Sequence, residues 1–391
     1  MRLLHVISGL DPEVGGTSQA LRTMIQGFSQ HAVINEVVSL DDPQAAYLRD
    51  TPFMIHAVGP AKSAWQYAPE FLPWLKKYLQ NYDAVIVHGL WHYHTYGIYK
   101  VWSQLKADKP ALYVMPHGML DPWFQRAAGR KLKAARNWLF WKLVEHKLIN
   151  SATGLLFTCE TEKIMARKPF RPYSPKTENV VGLGVEYPPV FTLEMQETFL
   201  ETCRGLTGKF LLFISRIDPK KGVDLVIKAY RALKLSGVDL PQLVIAGPGL
   251  NTAFGQEMVK LAGDDKAILF PGMLSGNAKW GAFYTCEAFV LPSHQENFGI
   301  AVVEALACFK PVLISDQVNI WREIDNGDAG LIGEDTEEGV YNLLDRWIKM
   351  PAGQKKQMEL SARRVFDTHF TVSQASKNML RVLNQNVPVI N

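Results

Sequence analysis

Several things are scarce in this sequence of 391 residues, and each scarcity excludes something. There are four cysteines, Cys159, Cys203, Cys286 and Cys308, set far apart with no Cys-x-x-Cys pair, which argues against a disulfide framework or a zinc knuckle. No apolar run approaches the ~18 residues of a membrane span. The opening MRLLHVISGLDPEVGG has neither the longer apolar stretch nor the small-residue cleavage site of a secretory signal, so a cytoplasmic protein is expected. Charge of one sign is not in excess: 42 basic against 38 acidic side chains leave +4, which excludes general affinity for nucleic acid and leaves any basic partner site to be local. Low-complexity tracts are missing too. What is there, 47% hydrophobic and 20% charged residues, is the composition of a folded soluble chain, and the length suits two or three domains with a core each.

Short runs rich in Val, Ile and Leu recur between segments of helical spacing: LLHVIS at 3–8, AVIVHG at 84–89, ALYVMP at 111–116, GLLFTC at 154–159, FLLFIS at 210–215, QLVIAG at 242–247, EAFVLP at 287–292 and PVLIS at 311–315. Strands covered on both faces by crossover helices read as such continuous runs, which predicts an α/β chain with two doubly wound parallel sheets. The stretch GLGVEYPPVFTLEMQETF combines glycines with a Pro-Pro pair, so the boundary is expected at Pro188 and Pro189, giving domains 1–188 and 189–370. Both halves open on a strand, a Gly-containing loop and a helix. After Phe370 a last helix is expected, with Thr371 as N-cap and apolar residues at Val372, Ala375, Met379, Val382 and Leu383. Open α/β sheets bind ligands outside the carboxyl ends of their strands, so chemistry is sought in the loops that follow strands; two sheets facing each other would bring those ends to one cleft.

Three loops qualify. Gly15-Gly16 lets backbone approach a phosphate or sugar ahead of a helix N-terminus, or is simply a flexible turn. In Ser215-Arg216-Ile217-Asp218-Pro219-Lys220-Lys221-Gly222 the cations of Arg216 and Lys221 lie either side of a turn and can converge on one diphosphate; the alternative is a solvated basic turn. The third loop, Pro292-Ser293-His294-Gln295-Glu296-Asn297-Phe298-Gly299-Ile300, holds Glu296 and runs on through AVVEALACF, with Glu304 expected two turns into the following helix. Eight residues of helix span roughly 12 Å, about the length of a sugar nucleotide, so Glu296 and Glu304 can accept hydroxyl hydrogen bonds at its two ends while N–H groups from Asn297 to Ile300 receive the diphosphate. Glu304 stands in an apolar stretch and needs a polar partner there.

The Glu-x7-Glu pair with Asn-Phe-Gly between, the SRIDPKKG loop, the AGPG turn at 246–249 and PGMLS at 271–275 together resemble the retaining glycosyltransferases of family 4, and the similarity runs from Leu3 to about Phe370. The resemblance implies a GT-B fold: two Rossmann-like domains facing a central cleft, acceptor-binding first and donor-binding second, with the helix in 371–391 returning to the first. It further implies that Arg216 and Lys221 neutralise the donor diphosphate, that Glu304 holds the ribose hydroxyls, and that Glu296 meets the donor sugar. Asn297, Phe298, Gly299 and Ile300 then surround the phosphates and sugar, Gly247, Gly272 and Met273 flank the base, and Gly16 belongs to the loop closing over the donor. His117, in MPHGMLDPW, matches a first-domain histidine near the reacting sugar, where it stabilises developing positive charge by its carbonyl or a hydrogen bond.

The histidines of HGLWHYH, His88, His92 and His94, are dense enough to suggest zinc, yet no cysteine or carboxylate is nearby; His88, Trp91, His92 and His94 are instead expected to line an acceptor pocket. There is no Asp-x-Asp pair, so neither metal nor other cofactor is expected. Between Arg126 and Lys147, seven basic residues stand against one acid, Glu145, a local +6. Arg130, Lys131, Lys133 and Arg136 interleave with Trp138 and Trp141, a basic aromatic helix of the kind that meets anionic lipid, or else a docked helix with a solvated face. The expected function is transfer of a hexose from a nucleotide sugar, UDP-glucose ahead of GDP-mannose, to a lipid-diphosphate-linked or free glycan in exopolysaccharide assembly. The alternatives are a nucleotide-sugar epimerase of the same fold, which would not need Arg216, Lys221, Glu296 and Glu304 together, or a non-enzymatic glycan binder, which would have lost one of those four, and none is missing.

Overall fold

Residues 1–12, 16–49, 51–127 and 129–385 are described by a computed structural model, which divides the chain into a unit of Met1–Gly184 joined by the chain from Val372, and a second unit of Val185–Thr371. The first unit holds a seven-stranded sheet. Its strands are β1 (Arg2–Ile7), β2 (Ile34–Ser39), β3 (Met54–Ala57), β4 (Ala84–His88), β5 (Ala111–Met115), β6 (Gly154–Phe157) and β7 (Glu178–Val180), in spatial order β3-β2-β1-β4-β5-β6-β7. The second unit holds β8 (Phe210–Ile214), β9 (Gln242–Ala246), β10 (Ile268–Gly272), β11 (Ala288–Leu291), β12 (Val312–Ser315) and β13 (Gly330–Gly333), in order β10-β9-β8-β11-β12-β13. All the pairings are parallel.

Every one of the eight apolar runs forms a strand, and the central ones are buried throughout: β4 and β6 expose none of their residues, nor do β11 and β12. The strands without such a run are β2, β3, β7, β10 and β13, which include both edges of both sheets. Edge strands bury less and tolerate polar residues and proline. β10 contains Pro271 and a register shift between Leu269 and Gly272, and β3 and β7 are only partly covered.

The connection around Pro188 and Pro189 leads into the helix Leu193–Thr202, capped by Thr192 accepting from Met195 N. The closing helix Val372–Asn384 packs in the first unit: Met379, Val382 and Leu383 share a core with Leu3, Phe28 and Ile86, and the Tyr113 hydroxyl donates to Val382 O at 3.3 Å. Gly27 is what lets it approach the helix Gly16–Phe28, since a Cβ there would lie 2.0 Å from Ser376 Oγ.

Candidate functional site

In each sheet the strand order reverses once, and the crevice outside the carboxyl ends at that point is where an open α/β sheet takes its ligand. In the second unit the reversal falls between β8 and β11, so the loops Ser215–Gly222 and Pro292–Gly299 border the crevice. They are tied together: His294 N donates to Lys220 O at 2.8 Å, and at Gly222 (φ +68°) a Cβ would sit 2.2 Å from Pro292 O. Asp218 shapes the first loop by accepting from Lys220 N at 3.0 Å. The β9 and β10 loops join the same edge, with Gly247 N donating to Gly272 O at 2.8 Å and Ser215 N to Ala246 O at 3.1 Å. Gly247, at φ +141°, has no space for a side chain, because a Cβ would lie 1.8 Å from Ser215 O.

These ties bring one expected set together. The Lys221 ammonium, 10% exposed, pairs with a Glu296 carboxylate oxygen, and Lys279 Nζ pairs with Glu304 Oε1 at 2.7 Å. Arg216 is exposed and has no hydrogen-bond or ion-pair partner among the described residues. Glu296 is held through its backbone, its N–H donating to Gln317 O at 3.0 Å and its carbonyl accepting from Asn319 N at 2.9 Å. Asn319 Nδ2 reaches Asn297 Oδ1 at 3.4 Å. Phe298 is buried edge-on against Phe370, so what it offers a ligand is backbone, whereas Met273 is 71% exposed.

One expectation here is corrected. The helix is Ile300–Ala307, stopped on its N-terminal side by Gly299 at φ +76°, so Glu304 lies one turn into it and not two, while Glu296 lies in the loop as expected. The two carboxylates are not spaced by eight helical residues; a left-handed turn intervenes. The arrangement can place two cations and a helix N-terminus beside an anion, with two carboxylates to accept from hydroxyls.

In the first unit the reversal falls between β1 and β4. The loop after β1 is anchored by Leu10 N donating to Asp41 Oδ2 at 2.9 Å and by Ser18 Oγ donating to Leu10 O at 2.7 Å; Gly16 begins the next helix, and Gly15 lies outside the described residues. His117 follows β5 at φ +52°, with Gly118 at φ +78°. Gly118 N donates to Glu162 Oε1 at 2.6 Å, which fixes that turn.

The expected acceptor pocket is corrected by burial. Trp91 is 7% exposed with its ring 5.4 Å from that of Phe170, and His88 and His94 are each 1% exposed, so Trp91 has no open face for a sugar and of the four only His92 retains surface. Trp91 (φ +75°) donates its N–H to Glu145 Oε1 at 2.8 Å, and Thr95 Oγ1 donates to the same oxygen at 2.8 Å. Burial pushes the Glu145 carboxyl up to about 7. Nor do the three histidines present a common ligand point: both ring nitrogens of His88 are taken by His5 and His117, and His94 Nε2 donates to His88 O at 3.0 Å. Among the described residues no group of three or more His, Cys, Asp or Glu is placed to hold a metal ion.

The basic segment is broken into the helices Trp123–Arg126, Lys131–Phe140 and His146–Ser151, with a π-helical turn Trp141–Glu145 before the last. Trp141 is fully buried, stacked on Phe170 at 4.9 Å, so it is removed from the expected membrane face. Leu132, Trp138, Leu139 and Leu143 are exposed, as are Lys131, Lys133 and Arg136, while Arg130 is half-buried with its guanidinium 5.1 Å from the Phe124 ring. No helix among the described residues is long and apolar enough to cross a membrane.

Sequence reasoning passed over Lys279, the polar partner that Glu304 required, which stands in GNAKWGAF on the helix after β10. It also passed over His5 inside the first strand, although a histidine at a fully apolar strand position is itself a signal.

Residues 201–365 match the family described as glycosyl transferases group 1. A probable sucrose-phosphate synthase of Thermosipho melanesiensis is 25% identical over 180 residues, covering 45% of this chain and 41% of its own. A GDP-mannose-dependent alpha-(1-6)-phosphatidylinositol dimannoside mannosyltransferase of Mycobacterium tuberculosis is 29% identical over 179 residues, covering 45% of this chain and 44% of its own. The matched part thus spans less than half the length of these relatives. The Anabaena protein HepE, solved in complex with UDP and glucose, superposes with a TM-score of 0.72 at 16% identity over 98% of this chain and all of that one, a likeness of fold.

Proposed function

We propose, from the premise that the second unit of this chain belongs to the glycosyl transferases group 1 family, that the protein is a retaining glycosyltransferase that needs no metal. It moves a hexose, glucose from UDP-glucose, to a lipid-linked or free oligosaccharide hydroxyl in the assembly of an exopolysaccharide or related glycan. The observation that carries this reading is the β8/β11 crevice, where Arg216, Lys221, Glu296 and the N-terminus of the helix Ile300–Ala307 meet on loops bonded to one another. A nucleoside diphosphate sugar is a ligand with a dianionic centre and hydroxyls on both sides, which is what two cations flanked by Glu296 and Glu304 suit.

In the proposed reaction the bond between the sugar's anomeric carbon and the diphosphate oxygen breaks, its electron pair staying on the phosphate. The acceptor hydroxyl oxygen bonds to that carbon from the same face, and its proton passes to the departing phosphate oxygen. Arg216 and Lys221 stabilise the charge that gathers there, so no metal ion is called upon. The exposed basic face of Lys131–Phe140 holds the enzyme at the anionic inner surface of the cell membrane. A second reading, a GDP-mannose-dependent mannosyltransferase, is favoured by the relative of that name.

Incubation with UDP-glucose or GDP-mannose, with and without lipid-linked acceptor and in the presence of EDTA, tests this. Acceptor-dependent release of UDP or GDP that survives EDTA is expected. An epimerised donor without nucleotide release, or release abolished by EDTA, would overturn it.

A further inference from the structure

Strand periodicity draws a polar line across the first sheet. His5 on β1 is in register with Ile86, and His88, two residues further along β4, is in register with Met115; His117 lies two residues beyond that. Side chains two apart on a strand share a face, so His5 and His88 fall on one face, and His117, just beyond the end of β5, continues their line through its contact with His88. The rings touch in sequence. His5 Nδ1 is 3.0 Å from His88 Nε2, and His88 Nδ1 is 3.0 Å from His117 Nε2, with ring planes only 29° and 26° apart. At the inner end His5 Nε2 is 3.1 Å from Asn35 Oδ1.

The direction of this chain follows from its inner end. Asn35 Nδ2 donates to Val33 O at 3.3 Å, so the amide presents its oxygen to His5. His5 Nε2 therefore carries hydrogen, and in the neutral ring its Nδ1 is an acceptor. That acceptor requires N–H at His88 Nε2, which leaves His88 Nδ1 bare, which in turn requires N–H at His117 Nε2. Protonating His5 or His88 would set two N–H groups against each other, and both rings are buried with no carboxylate bonded to them. Burial accordingly holds His5 and His117 at about 4 and His88 well below its ordinary value. At the outer end His117 Nδ1 has no hydrogen-bond partner among the described residues.

We infer that His5 and His88, oriented by Asn35, are positioning residues that hold His117 as the neutral Nε2–H tautomer and so present its Nδ1 as a hydrogen-bond acceptor. The ligand group this selects is a hydroxyl, which can donate; a phosphate or carbonyl oxygen finds no donor there. The left-handed backbone of His117 and Gly118, pinned by Glu162, fits this account, because backbone strain persists where surrounding structure over-determines it. The inference rests on the transferase reading only for the identity of the hydroxyl as that of a sugar.

Leucine and asparagine at position 88 have nearly the same shape, but only asparagine offers an acceptor where His88 Nδ1 stands. The full-length chain labelled with 15N-histidine should show His117, assigned by the signal lost in His117→Gln, with a bare Nδ1 and a protonated Nε2 at neutral pH. His88→Asn should keep that tautomer and stay within about threefold of the parent turnover. His88→Leu should populate both tautomers and lose at least tenfold in kcat, with the donor KM changed less than threefold. A parent spectrum with hydrogen on His117 Nδ1, or equal turnover in the two variants, would overturn the inference, and the parent spectrum decides even if the leucine variant does not fold. Should the parent transfer no sugar at all, the transferase reading fails while the tautomer measurement still stands.

Discussion

At the β8/β11 reversal the polar groups are two ion pairs, Lys221 with Glu296 and Lys279 with Glu304, and Arg216, a cation with no partner among the described residues, whereas on β1, β4 and beyond β5 they are three neutral imidazoles bonded in line. The first unit is no poorer in cations. It carries them outside, on the helix Lys131–Phe140. Two sheets of the same winding therefore make crevices of opposite electrical character, one suited to a dianion and one to a hydroxyl-bearing neutral group. The fold supplies the location, and a few side chains at the strand ends decide the chemistry.

The largest effect is expected where charge is concentrated. Lys221→Ala should lower kcat/KM by roughly 10²–10³, the range for removing a preorganised group aimed at developing charge. Because Lys221 and Glu296 neutralise each other in a half-buried place, either single change leaves a lone charge. The double variant Lys221→Ala/Glu296→Gln should accordingly lose less thermal stability than the two single losses added, while remaining as inactive as the worse single. Unchanged kcat/KM in Lys221→Ala would erase the contrast between the two crevices.

That contrast was only half legible in the sequence. The charged crevice could be read, Lys279 apart, because Arg216, Lys221 and Glu296 are clustered in two short loops, each between a strand and a helix, and because Glu304 stands out in VVEALACF. The imidazole line could not, because His5, His88 and His117 are 83 and 29 residues apart and become neighbours only through the order and register of β1, β4 and β5. Local density misled in the same region: HGLWHYH reads as the lining of an acceptor pocket, yet Trp91 and His94 are buried, the Trp91 N–H bonded to Glu145 and His94 Nε2 to His88 O. The same reasoning explains the strands. Continuous apolar runs mark strands covered on both faces, so the buried centre of each sheet was evident and its edges, β3, β7, β10 and β13, were not.

Acid should separate the units next. His5 and His94 are buried neutral at about 4 and 3, below the ordinary ~6.5, so the unfolded chain binds more protons below that value and stability falls as pH drops. Each contributes a loss of about 2 kcal/mol between pH 7 and pH 5. Glu145 acts in the opposite sense. Its carboxyl, raised to about 7, stays protonated in the fold while the unfolded chain ionises, so its contribution grows by about 2 kcal/mol over the same fall in pH. The histidines outweigh it, because His117, held at about 4, and His88, held well below its ordinary value, act in the same sense as His5 and His94, so the first unit loses stability as pH falls. The second unit buries no histidine among its described residues. Hydrogen exchange read by mass spectrometry should show the first unit opening before the second at pH 5, and Glu145→Gln, which removes the opposing carboxyl, should make the first unit more acid-sensitive. Uniform opening of both units would contradict this account.

The smallest effect tests where the first unit keeps its cations. A basic residue near an anionic bilayer contributes about 1 kcal/mol, or about fivefold in binding. Lys131→Gln, Lys133→Gln and Arg136→Gln should each weaken flotation with phosphatidylserine vesicles by about that factor, more at low salt, since exposed charges are screened. Trp138→Ala should weaken it as well, because that ring is 55% exposed among Leu139 and Leu143. Arg216→Ala is the informative control. Its guanidinium is also exposed and unpaired among the described residues, but it belongs to the β8 loop and to the anion the crevice suits, so vesicle binding should be unchanged while donor affinity falls. If the helix variants and Arg216→Ala weakened flotation equally, positive charge would count only in total, and the separation of a lipid-facing surface from a diphosphate-facing crevice would not hold.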